Sequence, residues 1–172
     1  MKTKICGITK VHDALFAVKV GADAIGCVIN VPRSPRNVNH EDAKKIFDAL
    51  PPFVFSIAVL VPTNIEEVVE CVERVQPFAV QLHGNVVDVH ALKELAKIIR
   101  PTKLIHSIAI DTHSGKANSI DPDPLKVAIK LSSVVDAIHL DSLVNETTGG
   151  LGKCFNWEIA RKIRMQIKRP LI

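Results

Sequence analysis

An incomplete (β/α)8 barrel, covering about strands one to seven and helices one to six with its C-terminal unit missing, is the fold the sequence predicts. Three observations lead there. Short β-branched runs alternate with longer segments whose apolar residues recur at helical spacing, the signature of βα units around a parallel sheet. The alternation is strict and runs from Thr3 to Ile172 through seven strand and six helix segments. Polar and reactive residues follow the strand segments, where α/β barrels carry their working side chains. A whole barrel usually needs about 200 residues or more, so a chain of 172 falls short by one helix and one βα unit. A doubly wound open sheet is the alternative, because alternation does not distinguish a closed sheet from an open one. Residues 1–172 are read as a single domain.

The first strand is expected over Thr3 to Ile8, with Thr9 as N-cap of a helix carrying Ala14, Leu15, Val18 and Val20 and closed by Gly21. The second strand, Ala24 to Ile29, leads into the loop Val31-Pro32-Arg33-Ser34-Pro35-Arg36. A helix begins near Asn39, where Glu41 and Asp42 suit its dipole, and Pro51-Pro52 ends it. The third strand, Phe55 to Val61, is followed by a helix entered at Thr63 or Asn64. Ala79 to Leu82 is the fourth strand, with a helix from about Val87 to Ile99. Lys103 to Ile110 is the fifth, with a helix over Pro124 to Leu131. Ala137 to Asp141 is the sixth strand. A polar, Gly-rich loop from Ser142 to Lys153 then precedes a helix capped by Asn156, and Arg169-Pro170-Leu171-Ile172 reads as the start of a seventh strand.

Composition narrows the function classes. At 47% hydrophobic and 23% charged, the chain matches ordinary globular domains. Its length is enough to bury roughly 70% of the unfolded surface without a disulfide or metal staple. The apolar runs are short and broken by charges, far below the roughly 20 residues that span a bilayer, so no membrane association is expected. The N-terminus goes straight into patterned sequence and implies no export. Cys6, Cys27, Cys71 and Cys154 are far apart and form no C-x-x-C pair, which fits free thiols in a reducing cytoplasm. The net charge of +4 is spread along the chain and Tyr is absent, so the sequence points to small anionic ligands and away from nucleic acid.

Six places after strand segments stand out: Cys6, Arg36, Gln81, His83, Asp141 and the stretch Gly149-Gly150-Leu151-Gly152-Lys153. Cys6 is either a thiolate base or a buried small hydrophobe. Asp141 ends an apolar strand, where a carboxylate either acts as a general acid or fixes a loop. Arg36 either grips a carboxylate with its planar fork or is a solvated charge. Gln81 and His83 alternate with apolar residues and share one strand face, where they line a barrel mouth or make core hydrogen bonds. The glycine stretch offers N–H groups to an anion but lacks the spacing and hydroxyl residue of a nucleotide P-loop. The histidines His12, His40, His90, His106, His113 and His139 show no metal-ligand spacing with a carboxylate or thiol, so no metal is expected.

Taken together, Lys4-Ile5-Cys6-Gly7-Ile8-Thr9, Arg33-Ser34-Pro35-Arg36, Gln81-Leu82-His83-Gly84, and Leu140-Asp141-Ser142 followed by Gly149-Gly150-Leu151-Gly152-Lys153 closely resemble phosphoribosylanthranilate isomerase. The matches keep that family's order and spacing along the whole chain. The resemblance implies a (β/α)8 barrel that carries out, in tryptophan biosynthesis and with no cofactor or metal, an Amadori rearrangement. N-(5-phosphoribosyl)anthranilate becomes 1-(2-carboxyphenylamino)-1-deoxyribulose 5-phosphate. By that similarity Asp141 is the general acid, Cys6 the general base and Arg36 the anchor for the anthranilate carboxylate, with Gly7, Gln81, His83, Gly149 and Gly150 at the substrate and a homodimer as the candidate assembly.

The sequence departs from the family at Leu151, where a small hydroxyl residue is usual, and at Asn156, where Asp is usual. Family members also continue beyond this point with the two loops that bind the substrate phosphate. Two other readings remain beside the isomerase: another phosphate-handling barrel isomerase, which would have no need of both Cys6 and Arg36, and an inactive barrel fragment or binding module.

Overall fold

The computed structural model describes residues 2–84, 89–119, 121–144, 147–148 and 153–172. They form two compact units, Met1–Gln81 with Ile98–Lys103, and Leu82–Lys97 with Leu104–Ile172.

The first unit contains β1 (Lys4–Cys6), α1 (Val11–Lys19), β2 (Ala24–Ile29), β3 (Asn37–Val38), α2 (His40–Asp48), β4 (Phe55–Leu60), α3 (Ile65–Val75) and β5 (Ala79–Leu82). Its strands lie in the order β1-β2-β4-β5, with the short β3 beside β2. β1 runs parallel to β2 with Cys6 opposite Gly26, and β2 runs parallel to β4 with Gly26 opposite Ile57. Ile25, Gly26, Cys27 and Ile29 are all buried, as expected of a strand covered on both faces. Each helix turns one stripe inward: Ala43, Ile46 and Phe47 on α2, and Val68, Cys71 and Val75 on α3.

The second unit contains α4 (Val89–Ile98), β6 (Lys103–Asp111), α5 (Pro124–Ser132), β7 (Ala137–Val144), β8 (Thr147–Thr148) and α6 (Trp157–Gln166). β6 and β7 are parallel, with Ser107 opposite His139 and Ala109 opposite Asp141, and β8 folds back antiparallel on β7. Past α6 the chain returns to β7: Ile138 N–H donates to Pro170 O at 3.0 Å, and Ile172 N–H donates to Ile138 O at 2.9 Å. This isolated parallel bridge, Ile138 with Leu171, lies where the start of a seventh strand was expected. Leu92, Leu95, Leu104, Ile110, Ile138 and Ile163 are the large, fully buried side chains of this unit.

The helix entries follow capping chemistry. Asn39 accepts from Asp42 N–H, Asn64 from Glu67 N–H and Asn156 from Glu158 N–H, each through its side-chain oxygen. Glu67 also accepts Thr63 N–H at 3.0 Å, tying the residue before the cap to the first turn. Three expectations need correction. Lys10, not Thr9, is the N-cap of α1 and makes no side-chain cap bond. The two-residue β3 was not foreseen. The sixth strand runs on to Val144 instead of ending at Asp141, because β6 pairs with Ser142 and Leu143 and β8, inside the expected loop, pairs with Leu143 and Val144. Among the described residues, no helix is long and apolar enough to cross a membrane.

His106 sits buried in β6, with its Nδ1 3.0 Å from Ser107 O. Burial holds the imidazole below its ordinary 6.5, against the opposing effect of the Ser107 carbonyl bond. The unfolded chain therefore takes up this proton first as pH falls, so the contribution is present above 6.5 and lost below it. Urea unfolding should show stability declining as pH falls through 6.5, with a shallower slope in His106→Gln. An identical slope in the variant would contradict this assignment.

Candidate active site

Three of the candidate residues of the first unit, Cys6, Gly7 and Arg36, lie together where β1 ends. Gly26 O accepts two successive amides there, Gly7 N–H at 2.8 Å and Ile8 N–H at 3.0 Å, which fixes the exit of the strand. Gly26 leaves little room for a side chain. A side chain there would put its Cβ 3.0 Å from Cys6 Sγ and 3.3 Å from both Cys6 Cα and Lys4 Cε. Cys6 is thus seated over bare backbone with its side chain exposed, whereas Cys27 and Cys71 are buried. Burial pushes both of those thiols up to about 12, so they remain protonated packing groups. Cys154 is exposed as well, in the segment before α6.

Gly7 has φ +81°, a left-handed conformation that suits glycine. A Cβ at Gly7 would fall 2.3 Å from Arg36 Cδ, so the Arg36 stem passes directly over this residue. The loop carrying Arg36 is closed by its own bonds: Asn37 Oδ1 accepts Val31 N–H at 2.6 Å, and Ser34 N–H donates to Val31 O at 2.8 Å. Lys4 Nζ donates to Gln81 Oε1, and Gln81 is only 2% exposed. Cys6, Gly7 and Arg36 are therefore brought together, while Gln81 serves Lys4, a residue that the sequence had not singled out. Close by, the ends of β2 and β4 border a groove of about 630 Å³ lined by Asn30, Arg33, His40, Leu60, Thr63 and Glu67. His40 Nε2 meets Asn30 Nδ2 there at 3.3 Å.

In the second unit His139 and Asp141 point to the same side of β7, two residues apart. Ser107, across the ladder on β6, has its Oγ 3.1 Å from His139 Nδ1. The His83 ring, just beyond β5, lies 5.8 Å from the His139 ring at an interplanar angle of 59°. Asp141 Oδ1 accepts Ser142 N–H at 2.9 Å. His83, His139 and Asp141 each present a ligand-type atom within 4.8 Å of the others, and all three are half-buried. Gln81 meets Lys4, and the His83 ring stands beside that of His139. His139 was passed over because its neighbours come from other strands, where sequence spacing gives no signal. Gly149 and Gly150 lie outside the described residues.

Parallel βα units with polar side chains at their strand ends match part of a (β/α)8 barrel, the class to which the similar solved structures belong. The crystal structure of phosphoribosyl anthranilate isomerase from Thermotoga maritima is similar with a TM-score of 0.79 at 33% identity, over 99% of this chain and 75% of that one. A solved phosphoribosyl anthranilate isomerase in complex with reduced 1-(o-carboxyphenylamino)-1-deoxyribulose 5-phosphate is similar with a TM-score of 0.75 at 30% identity, over 99% and 73%. In sequence, the N-(5′-phosphoribosyl)anthranilate isomerase of Methanocella arvoryzae is 36% identical over 171 residues, which is 99% of this chain and 75% of the relative. The chain belongs to the N-(5′-phosphoribosyl)anthranilate isomerase family, whose model matches residues 3–172.

The Gly7 geometry makes a direct prediction. Gly7→Ala places an L side chain at a left-handed φ and against the Arg36 stem, and should lower stability by about 1–2 kcal/mol. Urea unfolding of the two proteins checks it, and an unchanged midpoint at unchanged slope would refute the described packing.

Proposed function

We propose that this chain isomerises N-(5-phosphoribosyl)anthranilate to 1-(2-carboxyphenylamino)-1-deoxyribulose 5-phosphate by acid and base catalysis, with Asp141 as the acid and Cys6 as the base. The observation that carries the reading is the setting of Cys6. It is exposed at the end of β1, beside the turn that Arg36 covers, while two other thiols of the chain are buried.

The chemistry follows from what each group can do. Asp141 delivers a proton to the furanose ring oxygen, the C1–O bond breaks, and the nitrogen lone pair forms an iminium. The Cys6 thiolate then removes the C2 proton, and the electron pair of that bond neutralises the iminium to give an enolamine, which tautomerises to the ketone. Hydrogen only changes place, so no external oxidant or reductant is needed. The Arg36 guanidinium matches the anthranilate carboxylate as a bidentate partner, and its fixed loop limits the entropy lost on binding.

Gly7 leaves room for that arginine. Gln81 and His83 border the substrate, with Gln81 acting through Lys4, and Gly149 and Gly150 offer amides to it. Free thiols suit a cytoplasmic setting.

Cys6→Ala and Asp141→Asn should each lower turnover by about 10²–10⁴-fold while leaving the circular dichroism spectrum unchanged. Arg36→Ala should raise KM more than it lowers kcat. An assay following the loss of substrate fluorescence reads all three, and near-normal turnover of either the Cys6 or the Asp141 variant would rule out the assigned roles.

A further inference from the structure

We propose that His83, His139 and Asp141 form a binding site for a borderline-soft divalent cation, zinc above all, and that its occupancy blocks isomerisation. Two imidazoles and one carboxylate are the usual donors for such an ion, and here their ligand-type atoms lie within 4.8 Å of one another. Small side-chain rotations close that distance to the spacing of a tetrahedral ion, whose fourth position water would fill. All three residues are half-buried, so the ion can enter while part of its surroundings stays dry.

A second observation comes from β6. Ser107 Oγ lies 3.1 Å from His139 Nδ1, directly across the strand pair. When Nδ1–H donates to that hydroxyl, Nε2 carries the lone pair that a cation needs, and the ring is held in place. An outer partner of this kind commonly orients a ligating histidine. Asp141 Oδ1 is likewise fixed by Ser142 N–H at 2.9 Å.

A bound cation keeps a carboxylate ionised, so it cannot coexist with delivery of a proton by Asp141. The ion is therefore an inhibitor and not a cofactor. That consequence rests on the isomerase reading, whereas binding itself does not, and the two can fail separately.

Cobalt(II), a coloured substitute for zinc, should be titrated into the intact protein. Expected are saturation at one equivalent, a visible spectrum of nitrogen and oxygen ligation without a thiolate charge-transfer band, and displacement of the cobalt by zinc. Ser107→Ala should weaken binding about tenfold, and His139→Gln should abolish the site. Absence of saturable binding, a thiolate band marking Cys6 or Cys154 as the ligand, or unchanged affinity in His139→Gln would each overturn the site. If His139→Gln does not fold, the wild-type spectrum and Ser107→Ala still decide it. Zinc binding with no loss of turnover would keep the site but remove its inhibitory role.

Discussion

The carbonyl of Gly26 receives the amides of Gly7 and Ile8 together, and this double acceptance organises the chemistry of the first unit. It stops β1 at Cys6, turns the chain through a left-handed glycine, and creates the surface over which Arg36 lies. The same residue contributes by what it lacks, since a methyl group in its place would meet both the Cys6 thiol and the Cys6 backbone. One backbone position thus meets both the exit of β1 and the Cys6 thiol. A comparable economy holds in the second unit, where the parallel register of β6 and β7 puts Ser107 opposite His139 and leaves Asp141 two residues further along the same side.

The four cysteines show how placement alone separates one chemistry from another. Cys27 and Cys71 lie within a strand and a helix stripe, where loss of water raises their thiols to about 12 and keeps them inert. Cys6 and Cys154 reach the surface. Cys6 alone is also seated over a glycine carbonyl turn with an arginine stem above it. The histidines sort in the same way. His106 is buried and that burial lowers its pKa, whereas His83 and His139 share a half-buried cluster with a carboxylate.

Much of this was legible in the sequence because it is local. Apolar periodicity marked β2, β5 and the inward stripes of the helices, and Asn39, Asn64 and Asn156 announced helix starts through chemistry confined to three residues. What was missed depends on partners far along the chain. The end of β7 depends on pairing with β6 and β8, and β3 on pairing with β2. The joining of His83, His139 and Ser107 requires three separate segments to converge. Gly26 was the one readable clue left unused, since a glycine inside an apolar strand marks a close approach. Lys4 lay within a recognised motif, but its bond to Gln81 is a property of strand order rather than of spacing.

The most direct measurement is a crystal structure of this protein soaked with reduced 1-(o-carboxyphenylamino)-1-deoxyribulose 5-phosphate. The ligand carboxylate should pair with the Arg36 guanidinium, with its sugar C2 carbon against Cys6 Sγ. A ligand held elsewhere, with Arg36 and Cys6 both uncontacted, would contradict the account at its centre.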